Sequence, residues 1–183
     1  MTEKDKKISK NITYFLFSIF FLIGLLTFRD YGIWGDEEFQ RFSGFYWLNY
    51  VLSFSSFDEL KNIVAFKIDQ IGDFTLGSPK YHPYYGVIFD LPAAFLESIF
   101  QIEDSKNYFY FRHFLNFTLF FVGSIFFYKL LLNRFSNYSV SLIGTLFFVL
   151  SPRIYGNSFY NNKDIIFFNI KDLNFDNTKY DFV

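Results

Sequence analysis

Residues 12–28, ITYFLFSIFFLIGLLTF, decide how this chain folds. The run is apolar and carries no charge between Lys10 and Arg29. A bilayer core needs about 20 residues of helix, with roughly 17 as the lower limit, and this run reaches that limit. It predicts a membrane span. Just beyond it, where the span would emerge from the bilayer, stands Asp36-Glu37-Glu38, within YGIWGDEEFQRF (31–42).

The composition agrees with a membrane location. Of 183 residues, 51% are hydrophobic and 26% aromatic, with 31 Phe, which is more ring surface than a soluble domain of this length can hide. The net charge of -1 gives no field that would attract nucleic acid. With 0 Cys, disulfides and thiolate metal sites are excluded. Lys4, Lys6, Lys7 and Lys10 precede the first span, as in a signal peptide, but Thr27-Phe28-Arg29-Asp30 offers no small-x-small cleavage site. An uncleaved helix with a cytoplasmic N-terminus (1–11) follows from the positive-inside rule.

Two further runs can span. One covers 114–132, within a segment starting at 111, and its single charge, Lys129, sits near one end where it can snorkel. The other covers 135–152, between Arg134 and Arg153, with its helix expected over 139–157. The short link 133–138 makes the two an antiparallel hairpin.

The apolar stretch 84–102 contains Asp90, Pro92 and Glu97. A charge at mid-span costs about 2.5–3.5 kcal/mol, so spanning is disfavoured. Asp90, Glu97 and Asp104 recur every seven residues and share one helical face; Val87, Leu91, Ala94, Phe95 and Ile99 can occupy the other. That pattern predicts a helix lying in the interface. Residues 29–110 then form one large outer loop, and Lys129 and Arg134 fall on the cytoplasmic side. Asp36 and Asp164 both face outward. Within the loop, 36–52 predicts an amphipathic helix with Phe39, Phe42, Tyr46 and Tyr50 on its apolar side, and 57–71 a second short helix. Gly72, Gly77, Ser78 and Pro79 mark a turn. The expected fold is all-α: a polytopic membrane protein with about three transmembrane helices plus interfacial amphipathic helices in a large first outer loop. Residues 158–183 form an outer segment and tail.

Few residues in this frame can carry chemistry. Asp36 and Glu37 suit a general base at the membrane surface, and equally suit a helix start, where acids favour the macrodipole. Asp164, in YNNKD (160–164), has the same two readings. Arg153 and Lys163 can grip a lipid phosphate or simply snorkel at helix ends. His82 precedes Pro83, and His113 with Arg112 suits the outer end of the second span. Neither His has a partner at metal-ligand spacing, so no metal motif is present.

In order and spacing these pieces resemble the N-terminal portion of the C-type membrane glycosyltransferases. The layout is most similar to the protein O-mannosyltransferases and the aminoarabinose lipid A transferases. The pieces are the first span, the acidic pair, an aromatic helix, YHPYYGVIFDLPAAFLESIF (81–100), RHFLNFTLFFVGSIFFYKLLLNRF (112–135) and LSPRIYGNSFYNNKDIIFF (150–168). The resemblance implies transfer of a sugar from a polyprenyl-phosphate donor at the outer face, in a bacterial inner membrane. It implies that Asp36, with Glu37 as companion, deprotonates the acceptor, and that Asp164 orients the acceptor or the base. It further implies that His82, Arg153 and Lys163 contact the donor phosphate, whose stabilisation is the largest catalytic term. The cofactor is unknown; a divalent cation is compatible with this chemistry. Family members have many more spans, so the resemblance also implies an incomplete chain, inactive alone, that works with a missing C-terminal portion or a partner membrane protein. Two other functions fit the same residues: a small non-catalytic membrane protein or subunit, and a transporter fragment whose acids line a pathway.

Overall fold

A computed structural model describes residues 3–71 and 87–164. Every regular element among them is helical: α1 Glu3–Thr27, α2 Glu37–Ser53, α3 Asp58–Ile71, α4 Asp90–Ile99, α5 Ser105–Phe135, α6 Tyr138–Val149 and α7 Pro152–Tyr160. The turn residues Gly72, Gly77, Ser78 and Pro79, the apolar stub after Asp164 and the polar tail lie outside the described residues. The helices α1 and α5 are long and apolar enough to cross a membrane, and α6 with α7 makes a third candidate if the bent pair is one span. The chain is an all-α membrane protein. It divides into two units, residues 1–31 with 113–183 and residues 32–112.

The first unit is held by aromatic packing. Phe20, Phe117, Phe120, Val149 and Phe159 form its core. Phe117 stacks on Phe159 with ring centres 5.1 Å apart and planes within 5°. Tyr31 stacks on the same ring at 4.1 Å. The hydroxyls of Thr13 and Tyr128 lie 3.3 Å apart and those of Thr27 and Tyr155 3.1 Å apart, so each pair satisfies its polar groups across helices. In an apolar solvent such bonds add specificity at a modest gain, about 0.6 kcal/mol on average. Phe15, Leu26, Phe147 and Leu150 are exposed, as lipid-facing side chains are.

Two expectations change here. The basic start is helical from Glu3, so α1 begins well before the apolar run, and it ends at Thr27. The third span is not one straight helix over 139–157. It breaks between Val149 and Pro152, and α7 leaves at 64° to α6. Pro152 lacks the N–H that would continue α6, and its fixed φ suits a first helical turn instead.

The second unit packs α2 against α3 and α4, around Phe45, Leu48, Leu52, Val64 and Ala94. Its α2 buries Arg41, Gly44, Phe45, Leu48 and Leu52, and leaves Tyr46 and Tyr50 exposed. The expected apolar face through Phe39, Phe42, Tyr46 and Tyr50 is therefore split: Phe42 is buried and Phe39 half-buried, while Tyr46 and Tyr50 face outward. In α4 the expected apolar side is also divided, with Ala94 in the core and Leu91 packed against it. Asp90 and Glu97 point inward and are buried, while Phe95 and Ile99 are exposed. The sevenfold spacing does put the two acids on one face, but buried cations wait for them there. Asp104 behaves differently: it is exposed and accepts the Asn107 N–H at the start of α5.

Candidate functional site

The acidic cluster heads α2. Asp36 is the residue before the helix, with αR backbone (φ -87°, ψ -11°) and no side-chain capping bond. Its carbonyl accepts the Gln40 N–H at 2.9 Å, and its side chain is exposed. Glu37 differs sharply from its neighbour. It is only 2% exposed, and its Oε2 accepts the Trp34 N–H at 2.8 Å. The carboxylate folds back over the turn 34–37 and fixes the entry into α2. Glu38 is exposed. Of the three acids, Asp36 and Glu38 can meet a solute, and Asp36 stands at the positive end of the helix dipole.

One turn further along α2 lies a buried ionic lattice. Arg41 donates from Nε to both oxygens of Glu97, at 3.2 and 3.1 Å, and from Nη2 to Oε1 at 2.6 Å. Its guanidinium lies 3.7 Å from the centre of the Tyr108 ring, an arrangement that combines charge and stacking. Lys67 of α3 approaches Glu97 Oε1 at 3.8 Å and donates to the Ile102 carbonyl. Burial pushes the Lys67 ammonium below its ordinary pKa, with the Glu97 charge opposing that shift. Beside this group, Arg112 donates to Asp90 at 2.5 Å and lies over the Phe89 ring. Among the described residues, its Nη1 has no hydrogen-bond partner.

This lattice joins all four helical segments of the unit. Buried pairs add little net stability, because desolvation offsets attraction, but breaking one leaves a charge stranded. Their effect is to fix one mutual arrangement of α2, α3 and α4, and so to hold the helix that carries Asp36. Arg41 and Lys67 went unread in the sequence, and Arg112 was placed only at the outer end of the second span. A signal was present: Arg41 shares a helical stripe with Phe45, Leu48 and Leu52, Lys67 shares one with Leu60, Val64 and Ile71, and two acids seven residues apart lie in an apolar stretch.

The remaining expected site residues are in the first unit, except His82, which lies outside the described residues. Asp164 is exposed. Its carboxylate accepts from Asn161 Nδ2 at 2.7 Å while its N–H donates to Asn161 Oδ1 at 3.3 Å. The pair is a reciprocal cap on the turn beginning at Asn162. Arg153 is exposed in the first turn of α7, and Lys163 is half-buried. His113 is buried, with Nδ1 3.3 Å from the Phe28 carbonyl, so it ties α5 to the end of α1. Among the described residues no three or more His, Asp or Glu side chains form a group that could hold a metal ion. Compared with protein-family models, with curated proteins and with solved structures, the chain matches none.

Proposed function

We propose that this chain is part of a membrane glycosyltransferase that moves a sugar from a polyprenyl-phosphate donor to an acceptor at the outer face of a bacterial inner membrane. The observation that carries the reading is the exposed carboxylate of Asp36 at the head of α2, ten residues or fewer beyond a membrane-length helix. Asp36 is the general base. Glu37 is a positioning residue: its bond to Trp34 fixes the turn from which Asp36 projects. The buried lattice beneath keeps α2 from shifting as acceptor and donor bind, which matters because a misplacement of about 1 Å can cost 10²-fold in rate. The lysines at the start of α1, with Lys129 and Arg134, support the orientation with Asp36 outside.

A second reading, a non-catalytic membrane subunit, is favoured by one observation. Glu37 and Asp164 both engage a helix start, which is a structural use of acids. Radiolabelled polyprenyl-phosphate sugars separate the two. Source-cell membranes lacking the chain are complemented with the wild type or with Asp36→Asn. The base reading expects wild-type transfer and a loss of about 10²–10⁴-fold in the variant. Transfer that survives Asp36→Asn, or that never depends on the chain, establishes the subunit reading instead.

A further inference from the structure

The second unit encloses charges beside its apolar core and leaves large apolar side chains outside. It buries Arg41, Lys67, Asp90, Glu97 and Arg112, and it exposes aromatic and aliphatic side chains. On α2 the exposed rings of Tyr46, Tyr50 and Phe54 and the half-buried ring of Trp47 form a continuous row. Tyr46 meets Trp47 at 5.8 Å, Trp47 meets Tyr50 at 5.9 Å, and Tyr50 meets Phe54 at 5.3 Å, each edge to face. At 100° per residue this row lies opposite the face that carries Arg41, Phe45, Leu48 and Leu52. Phe54, at its end, is 78% exposed.

An apolar face that charged residues have been turned away from needs an apolar neighbour. The chain itself says which one. The unit follows a membrane-length helix that ends at Thr27, and its last residues, 105–112, are the first turns of α5, another such helix. The 31 residues of α5 extend about 46 Å. A hydrocarbon core of about 30 Å uses some two-thirds of that length. The excess leaves the turns at 105–112 at headgroup level, and the unit is tethered there at both ends. Tyr and Trp are the side chains that favour this layer, because the ring is apolar and the polar edge stays wet.

We infer that the second unit seats on the bilayer surface through the Tyr46–Trp47–Tyr50–Phe54 row of α2, with lipid as the occupant of that face. The row inserts to the boundary between headgroups and acyl chains, about 5–10 Å deep for an interfacial helix. The inference does not depend on the glycosyltransferase reading.

Trp47 is a built-in probe, since the chain has 2 Trp, the other being Trp34. The full chain carrying Trp34→Phe is reconstituted into phosphatidylcholine vesicles whose acyl chains are brominated near the glycerol end or near the methyl end. Near-end bromines should quench Trp47 by about half or more, and far-end bromines much less, as expected for a shallow ring. Aqueous acrylamide should quench weakly. Adding Tyr50→Asp and Phe54→Asp should reverse the two quenchers. Strong acrylamide quenching with no bromine effect in the Trp34→Phe chain would mean a wet face. Protection from both quenchers would mean that protein covers the row. Either result overturns the inference.

Discussion

Gly44 lies against the backbone of Asp90. A Cβ on Gly44 would fall 2.3 Å from the Asp90 carbonyl oxygen and 2.7 Å from its carbonyl carbon. The obstacle is main chain, so it cannot rotate away. This contact sets how closely α2 and α4 cross, and therefore whether Arg41 can reach Glu97. In an open helix, Gly→Ala gains about 1 kcal/mol from propensity. Here overpacking costs about 1–3 kcal/mol and reverses the sign. Gly44→Ala should lower the midpoint of thermal unfolding in detergent, followed by helical circular dichroism. A raised midpoint would show that the helices part freely.

Arg41 and Glu97 should show strong coupling. Arg41→Leu strands a carboxylate that is 0% exposed, leaving Lys67 at 3.8 Å as its remaining partner. The expected cost is about 3–5 kcal/mol. Glu97→Leu should cost a similar amount, since it strands two cations. The double variant should lose clearly less than the sum, because apolar residues of similar bulk replace a desolvated pair. Chemical denaturation of the four proteins checks this; additivity would mean that the pair does not interact.

Lys67 gives the second unit a pH dependence whose sign is fixed. Burial holds its pKa below 10.5 in the folded chain. In the window between the folded pKa and 10.5 the unfolded chain binds more protons, so stability rises with pH there. The burial penalty is fully present below the folded pKa and is relieved as pH climbs through it. Lys67→Met should remove that rise. Unfolding midpoints of both proteins, compared as pH rises toward 10.5, should converge as the wild type gains stability. Parallel curves would show that Lys67 does not titrate in this window.

Gly24 plays for the first unit the part that Gly44 plays for the second. Its Cβ would lie 1.8 Å from Phe117 Cζ. Phe117 is fully buried and pinned against Phe159, so the ring has no room to retreat. Gly24→Ala should destabilise the unit by about 1–3 kcal/mol. Phe117→Leu should recover part of that loss in the double variant, although alone it is destabilising. Failure of this rescue would place the strain elsewhere.

The orientation can be read directly, because the chain has 0 Cys. Asp36→Cys and Asp164→Cys should react with a membrane-impermeant thiol reagent on intact cells, and Ser136→Cys should react only after lysis. Labelling at 136 with protection at 164 would reverse the assignment for the α5–α6 turn.

What the sequence by itself determined were the properties set by neighbours along the chain. The charge-free run 12–28 and the run after Arg112 declared membrane-length helices, because span length depends only on local polarity. The helices near 37–53 and 58–71 were legible from spacing, and the acidic cluster declared the start of α2. The sequence also placed Asp90 and Glu97 on one face. It could not say which way that face turned. Inward or outward is decided by whether cations from other helices are within reach, and Arg41, Lys67 and Arg112 come from three separate segments. The same limit hid the difference between Asp36 and Glu37, adjacent acids of like chemistry. One is exposed and the other buried because a helix turns each successive side chain by about 100°, and only packing fixes where that rotation begins. The break at Pro152 lay between the two: the proline was visible, but its 64° bend depends on what the freed helix end packs against.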